Sequence, residues 1–214
     1  KLMYQSIRDE QKMEELKQQN MQVQMDYLKY QINPHFFMNT LNNIHALIDI
    51  DTQWAKNAVI ELSKMMRYVL YDSERETISL TRDIQFLKNY IELMRIRYTD
   101  AVDIRIEHPS TLPARITIPP LLLIVFVENA FKHGVGANKA SFIHIRIDCN
   151  EDKVTAVIAN SRFKIAHPKH SDGIGLKNVR KRMELIYGPK NYELRIEETA
   201  DTYTVNLEIP TLHA

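Results

Sequence analysis

The spacing of apolar residues changes near residue 100, from a helical period to a strand period. Residues 53–72 and 81–100 place apolar side chains at three- and four-residue intervals, which predicts two amphipathic helices. Beyond them the pattern alternates between apolar and polar residues, as in a strand. The alternating stretches are VDIRIEH, SFIHIRIDC, KVTAVIAN, YELRIEE and TYTVNLEIP. Two further helices are predicted between the strands, at residues 120–133 and 176–187.

This order of elements predicts an α+β protein with two domains. Residues 1–100 are expected to form a helical domain, and residues 101–214 an α/β sandwich in which several strands are hairpin neighbours. Thr81 is a candidate N-cap, with Asp83 in the first turn of the helix that follows. We therefore place the domain boundary near residue 100.

The first 32 residues lack glycine and proline and predict one long helix. A heptad pattern fits this stretch, with Met13, Asn20 and Tyr27 at one seam position and Leu2, Leu16, Val23 and Tyr30 at the other. Such a seam favours a coiled-coil homodimer, in which a single inner asparagine fixes the register. The alternative is a solvated helix that packs on its own domain.

Composition and charge exclude several classes of function. The 214 residues carry a net charge of +1, so direct binding of nucleic acid is not expected. The single cysteine, Cys149, excludes an internal disulfide framework and a cysteine-based metal site. No run of about 18 apolar residues is present, so membrane contact is expected only through residues that would precede Lys1. Because Lys1 is not a methionine, the chain is expected to be a fragment or a processed product.

The stretch PPLLLIVFVENAFKHG, residues 119–134, is apolar on every side for two turns and then becomes polar. Asn129 lies three and four residues before Lys132 and His133, so these side chains share one helix face. Asparagine offers an oxygen that suits Mg²⁺, and the two basic groups suit phosphate oxygens. The alternative is a helix that emerges into solvent with an ordinary Glu128–Lys132 ion pair.

The stretch SDGIGLKNVRKRMELIYG, residues 171–188, places Gly173 and Gly175 just before a predicted helix. Glycines at this point let backbone N–H groups approach an anion at the positive end of the helix. The glycine pair alone is weak evidence. No Walker A or Rossmann signature accompanies it, so those two nucleotide-binding folds are not indicated.

The stretch QINPHFFMNTLNNI, residues 31–44, places a proline directly before a histidine. Pro34 can begin a helix with Asn33 as its cap, which would present His35 on an exposed first turn. Neutral imidazole predominates at pH 7, and one of its nitrogens is then free to act as a nucleophile. The alternative reading of His35 is a residue that only packs.

These three stretches, in this order, resemble the histidine box, N-box and glycine box of LytS-type sensor histidine kinases. That family shares the Bergerat ATP-binding fold with gyrase and MutL. The connecting segment ISLTRDIQFLKNYIELMRIRY is also similar to the family, and the resemblance covers roughly residues 28–210. It implies that residues 1–100 dimerise and carry the phosphoacceptor, and that residues 101–214 bind ATP.

The resemblance also implies a role for individual residues. His35 would be the phosphoacceptor, and Glu128 would be a further catalytic residue. Asn129 would bind Mg²⁺, and Lys132 and His133 would contact phosphate. The remaining nucleotide-binding residues would be Asn160, Gly173 and Gly175, beside a lid at residues 161–172. The implied cofactors are ATP and Mg²⁺. The implied partners are a second copy of the chain, bound through the N-terminal helices, and a response regulator of the LytTR type. The chain would be the cytoplasmic portion of a bacterial inner-membrane protein.

One departure from the family pattern leaves a second reading open. Many members carry Asp-Asn-Gly-x-Gly after the second central strand, whereas this chain has VIANSRF. Either Ala159 or Asn160 stands where the adenine-reading aspartate is expected, and Ser161 replaces a glycine. Asn160 can still accept a hydrogen bond from adenine. The chain is therefore either an active kinase or a degenerate, dimeric signalling module of the same fold.

Overall fold

A computed structural model describes residues 34–98, 102–136, 139–163 and 174–212 of the chain. The described residues from Pro34 onward belong to one compact unit. The long helix and heptad predicted before residue 33 lie outside the described residues, as do Gly173 and most of the predicted lid. These expectations, and the domain boundary near residue 100, stay predictions.

Three α-helices and one π-helical turn make up the first part of the described chain. They are α1 (Pro34–Ile48), α2 (Thr52–Arg67), the π-helix Tyr68–Asp72 and α3 (Leu80–Arg95). Asp51 caps α2, because its side chain accepts a hydrogen bond from the Trp54 backbone N–H at 2.8 Å. The helices predicted over residues 53–72 and 81–100 are thereby confirmed in existence and type.

The start of α3 differs from the prediction by two residues. Ser79, not Thr81, precedes the helix, because Ile78–Ser79 (β1) is held extended by antiparallel pairing with Thr117–Ile118 (β3). The Leu80 backbone N–H donates to the Ile116 carbonyl at 2.9 Å and so anchors the first turn. Asp83 does lie in that turn, but it is buried rather than facing solvent.

All five predicted strands are present and form one sheet. They are β2 (Val102–Glu107), β4 (Ser141–Cys149), β5 (Lys153–Ser161), β6 (Glu193–Glu198) and β7 (Thr202–Pro210), in the order β2-β4-β5-β7-β6. The β2–β4 pair is parallel and the others are antiparallel. The predicted α+β class is confirmed.

The core lies on one face of the sheet, where apolar residues of neighbouring strands alternate with outward-facing polar residues. The buried set is Ile143, Ile145 and Ile147 on β4, Val154, Ala156 and Ile158 on β5, and Val205, Leu207 and Ile209 on β7. Two helices belong to this part of the chain, α4 (Ile124–His133) and α5 (Ile174–Tyr187). Helix α4 contacts β4, β5 and α5, so it is the element that joins the sheet to the second helix.

Both of these helices begin at a different residue from the one predicted. Helix α4 begins at Ile124 rather than residue 120, because Pro120–Leu123 forms a turn in which Leu121 has φ 59°. A non-glycine residue in this left-handed region costs about 1–3 kcal/mol and persists only where its surroundings hold it. Helix α5 begins at Ile174 rather than residue 176, so Gly175 lies inside its first turn. Among the described residues, no helix has the length and apolar character needed to cross a bilayer.

Candidate functional site

Helix α4 runs from the core to the surface and brings the predicted polar residues to its last two turns. Ile124, Phe126 and Val127 are buried, whereas Glu128 and Asn129 are half-buried. The last-turn side chains, Lys132 and His133, are exposed. The polar face predicted from the sequence therefore begins within the protein and ends at solvent, as the wall of a binding site does.

The end of α4 lies directly against the end of β5. A Cβ added at Gly134 would be 2.5 Å from the Ala130 carbonyl oxygen and 2.6 Å from the Cβ of Asn160. No real Cβ tolerates such distances, so only glycine allows this approach. The Gly134 backbone N–H donates to the Ala130 carbonyl at 2.7 Å and ends the helix. Asn160 is consequently fixed beside the polar end of α4.

The strand register shows which of Ala159 and Asn160 lies on the side of the sheet that faces α4. On β5, Ile158 is buried and Val157 is exposed, so Asn160 shares the helix-facing side and Ala159 lies on the opposite side. The Asn160 Nδ2 donates to the Ser161 carbonyl at 2.7 Å, and the Oδ1 acceptor is thereby directed away from that carbonyl. Ser161 has a structural role, because its Oγ accepts a hydrogen bond from the Phe142 backbone N–H at 2.8 Å.

Gly175 differs from Gly134 in its surroundings. Among the described residues, a Cβ added at Gly175 would meet only the Cγ1 of Val125 within 4 Å, at 3.9 Å. These residues therefore leave room for a side chain in this turn of α5, next to α4. A need for glycine here must come from something outside the described residues, such as a ligand.

Glu128 holds its proton more strongly than an ordinary glutamate. Burial in the protein raises the pKa of its carboxyl from 4.5 to about 7. The nearby Glu128 carboxylate also contributes to the raised pKa of Tyr90 on α3, after burial of that phenol. A carboxyl with this pKa can take up or release a proton near neutral pH, which suits proton transfer.

Aromatic contacts link the helix that carries His35 to α4. The Phe36 ring lies 5.0 Å from the Tyr90 ring, and Tyr90 lies 5.7 Å from Phe131 in an edge-to-face arrangement. Phe36 is the residue after His35 in the first turn of α1, and Phe131 precedes Lys132 on α4. Pro34 does begin α1, as predicted, whereas the His35 side chain lies outside what the structure describes.

The described residues thus bring together part of the predicted site. Glu128, Asn129, Lys132 and His133 share α4, Asn160 meets its end, and Gly175 lies beside its first half. Sequence reasoning missed the structural roles of Gly134, Tyr90 and Phe131. The alternation of KVTAVIAN was a usable signal for Asn160, because it places residues 154, 156, 158 and 160 on one face.

Comparisons with known proteins show what the sequence of this chain is similar to. A family profile described as Histidine kinase matches residues 23–102. Sensor protein LytS of Staphylococcus haemolyticus is 29% identical over 197 residues, and Sensor protein LytS of Streptococcus mutans is 31% identical over 197 residues. Each alignment covers 86% of this chain and 33% of the relative, so the chain spans about a third of the relatives' length. These matches confirm the predicted resemblance.

One solved structure among the matches is the histidine kinase domain of a blue-light activated histidine kinase from Erythrobacter litoralis. It is 15% identical, with a TM-score of 0.46, and the match covers 90% of this chain and 95% of that chain.

The two glycines beside α4 should respond differently to the same substitution. Gly134→Ala is expected to lower the free energy of unfolding by about 1–3 kcal/mol, because the added methyl overlaps the Ala130 carbonyl and Asn160. Gly175→Ala, the matched control, should leave stability unchanged or raise it by up to about 1 kcal/mol, as alanine favours a helix. Urea denaturation followed by circular dichroism measures both values. Equal midpoints for Gly134→Ala and the wild type would contradict the close contact.

The raised pKa of Glu128 should appear as a pH-dependent stability difference. Since the folded pKa lies above the ordinary value, the proton on Glu128 stabilises the folded state fully below pH 4.5, and this stabilisation is lost as pH rises to 7. The wild type should therefore lose about 3 kcal/mol relative to Glu128→Gln across this range. Denaturation curves at several pH values test this. A stability difference between the wild type and Glu128→Gln that stays constant with pH would refute the raised pKa.

Proposed function

We propose that this chain, which resembles LytS-type sensor histidine kinases over most of its length, is the kinase core of a two-component sensor. In this proposal it binds ATP against α4, phosphorylates His35 and passes the phosphoryl group to an aspartate of a response regulator. The observation that carries the proposal is the convergence of three elements on α4. They are the end of β5 at Asn160, the first turn of α5 at Gly175, and the aromatic contacts that lead to α1.

The nucleotide is proposed to lie along the polar end of α4. Asn160 would accept a hydrogen bond from the adenine amino group through Oδ1, since its Nδ2 is already engaged with the Ser161 carbonyl. Lys132 and His133 would contact phosphate oxygens, and their exposure at the last turn supports this role. Gly173 and Gly175 would let the backbone at the start of α5 approach the phosphates.

Asn129 is the proposed protein ligand of Mg²⁺. Among the described residues, no group of three histidine, cysteine, aspartate or glutamate side chains is placed to hold a metal. That result fits Mg²⁺, which is commonly held by few protein oxygens together with the phosphates of its substrate. The ion would supply charge neutralisation at the phosphates, while the protein supplies position.

The proposed reaction forms one bond and breaks one bond. A neutral imidazole nitrogen of His35 would attack the γ-phosphorus of ATP, the new N–P bond would form as the P–O bond to the β-phosphate breaks, and ADP would leave. Glu128 remains the second proposed catalytic residue, because its carboxyl exchanges a proton near neutral pH. The response regulator, proposed to be of the LytTR type, would then receive the phosphoryl group.

A homodimer is also proposed, formed through the N-terminal helices. Ten of the eleven large apolar side chains that are most exposed in the described residues lie between positions 38 and 71, nine of them on α1, α2 and the π-helix and one, Ile50, in the turn between α1 and α2. Met38, Leu41 and Ile48 repeat at intervals of three and seven along α1. Such a concentration of exposed apolar surface supports burial against a second copy of the chain. The proposal includes a location in the cytoplasm beside the bacterial inner membrane, which follows from the resemblance alone.

A specific observation also favours a second function. Either Ala159 or Asn160 stands where many family members carry the aspartate of Asp-Asn-Gly, and Ser161 replaces the glycine, so the site lacks the usual carboxylate for adenine. The second candidate is therefore a degenerate dimeric module that transmits a conformational signal without phosphotransfer.

Incubation with γ-labelled ATP and Mg²⁺ distinguishes the two functions. The kinase should acquire label that is labile in acid and stable in alkali, and His35→Gln should abolish it. His45→Gln on the same helix is the matched control and should retain the label, because His45 is an exposed residue at the far end of α1. Absence of label in the wild type, together with a flat calorimetric titration of ATP and Mg²⁺, would reject the kinase and favour the degenerate module.

The proposed dimer is testable by light scattering. Replacing Met38 and Leu41 together by glutamate should convert the dimer to a monomer, since buried carboxylates are costly at an apolar interface. Val157→Glu is the control, because Val157 is an exposed apolar residue on the outer face of the sheet, away from α1. A double variant that keeps the dimeric mass, or a wild type that is monomeric, would contradict this interface.

A further inference from the structure

A buried polar cluster joins four segments that lie far apart in the sequence. Tyr68 comes from the π-helix, Asp83 from α3, and Arg182 and Tyr187 from α5, and each is at most 7% exposed. The fourth segment is the Pro120–Leu123 turn that leads into α4. Arg182 follows two basic residues, Arg180 and Lys181, in the sequence, but unlike the exposed Lys181 it is only 3% exposed.

The cluster holds both ends of a single peptide group. Arg182 Nη2 donates to the Pro120 carbonyl at 2.6 Å, and the Leu121 backbone N–H faces the Asp83 carboxylate and acts to lower the pKa of that carboxyl, against the larger effect of burial. That carbonyl and that N–H belong to the same peptide plane. The Tyr68 hydroxyl donates to Asp83 Oδ1 at 2.5 Å and fixes the carboxylate in turn. This clamp holds the peptide that leads into Leu121, whose φ is left-handed, because rotation of the peptide would break the Arg182 hydrogen bond and turn the N–H away from Asp83.

The clamp acts at the point where the two helices of the candidate site approach each other. Arg182 lies seven residues after Gly175, which is two turns of α5, so both occupy one helix face. Gly175 on that face adjoins Val125 in the first turn of α4. The Arg182–Pro120 hydrogen bond therefore anchors α5 to the entry of α4, and Asp83 anchors the same entry to α3.

The cluster contains further polar atoms that are not saturated. Asp83 Oδ2, Arg182 Nε and the Tyr187 hydroxyl are buried and have no hydrogen-bond partner among the described residues. The peptide, and not a direct ion pair, thus connects the two charged side chains. Loss of either side chain would free one end of the peptide and leave the other charge buried, which changes how the helices are placed.

We propose that Asp83 and Arg182 are positioning residues of the nucleotide site, which clamp the Pro120–Leu121 peptide and thereby hold α5 at a fixed distance from α4. This inference rests on the proposed binding of ATP against α4. It assigns the cluster an effect on affinity for the nucleotide, transmitted through one peptide, in addition to any effect on stability.

The first test measures affinity for a non-hydrolysable ATP analogue with Mg²⁺ by calorimetry. Arg182→Met and, separately, Asp83→Ala should raise the Kd by about tenfold or more, because small displacements of binding groups are costly. Lys181→Met, an exposed neighbour that loses the same charge, should stay within about twofold. Each variant is first required to unfold cooperatively. If Arg182→Met and Asp83→Ala bind as the wild type does, the clamp is overturned while the proposed function stands.

A rescue variant separates peptide orientation from simple packing. Glycine adopts a left-handed φ without strain, so in a Leu121→Gly background the peptide needs no clamp, and Arg182→Met should raise the Kd by less than about threefold. Leu121→Ala also removes the buried side chain but keeps the strain, and in that background the tenfold effect should persist. Equal effects in the glycine and alanine backgrounds would overturn the proposal.

A readout without nucleotide keeps the inference testable if the wild type binds no analogue, an outcome that would reject the proposed function itself. Amide hydrogen exchange of the ligand-free protein should quicken by about tenfold or more in the first turns of α4 and α5 when Arg182 is replaced by methionine. Lys181→Met should leave exchange there unchanged. Unchanged exchange in Arg182→Met would overturn the clamp, whatever the binding result.

Discussion

The contact between the end of α4 and the end of β5 is the constraint on which the candidate site depends. Gly134 and Asn160 approach so closely that no side chain fits between them, and the last turn of α4 is therefore fixed relative to the sheet. The same contact therefore fixes the position of the polar residues in that turn. Their chemistry follows from their place on a helix whose first turns are buried and apolar and whose last turn is polar and exposed to solvent.

Burial changes the acid–base character of the protein at two carboxyl groups. Glu128 and Asp83 both have raised pKa values, of about 7 and about 6, and burial is the main cause for each. They differ in their surroundings. Asp83 accepts a hydrogen bond from Tyr68 and faces the Leu121 backbone N–H, whereas Glu128 lies beside Tyr90 at the edge of the site. The Asp83 carboxyl therefore has a structural role, whereas the Glu128 carboxyl is available for proton exchange.

Much of the fold could be predicted because its signals are local. Each strand alternates over six to nine residues, and the helical stretches after residue 50 carry a clear three-to-four period, so their types followed from the sequence. The first residue of α4 could not be predicted, because an unbroken run of apolar residues has no periodic pattern that marks where the helix begins. The two-residue pairing of β1 with β3 left no pattern at all.

Part of the candidate site could also be predicted, because some of its signals are local in the sequence. Residues on one helix, such as Asn129 and Lys132, could be grouped by spacing alone. The contacts of Gly134 with Asn160, and of Arg182 with Pro120, join positions 26 and 62 residues apart and depend on tertiary packing, which one sequence does not reveal. Arg182 carried a faint signal, because its spacing from Gly175 and Val179 places it near the buried stripe of α5 rather than on the surface.

The different surroundings of the two glycines have an evolutionary consequence. Gly134 is required by the protein's own atoms, so selection for folding alone would keep it in every descendant that retains this packing. The other described residues place no such requirement on Gly175. If the proposed nucleotide is what requires glycine there, a lineage that lost nucleotide binding would accumulate substitutions at position 175 first, while position 134 stayed constant. A comparison of positions 134 and 175 among many descendants of this chain would then show which of them have lost the proposed ligand.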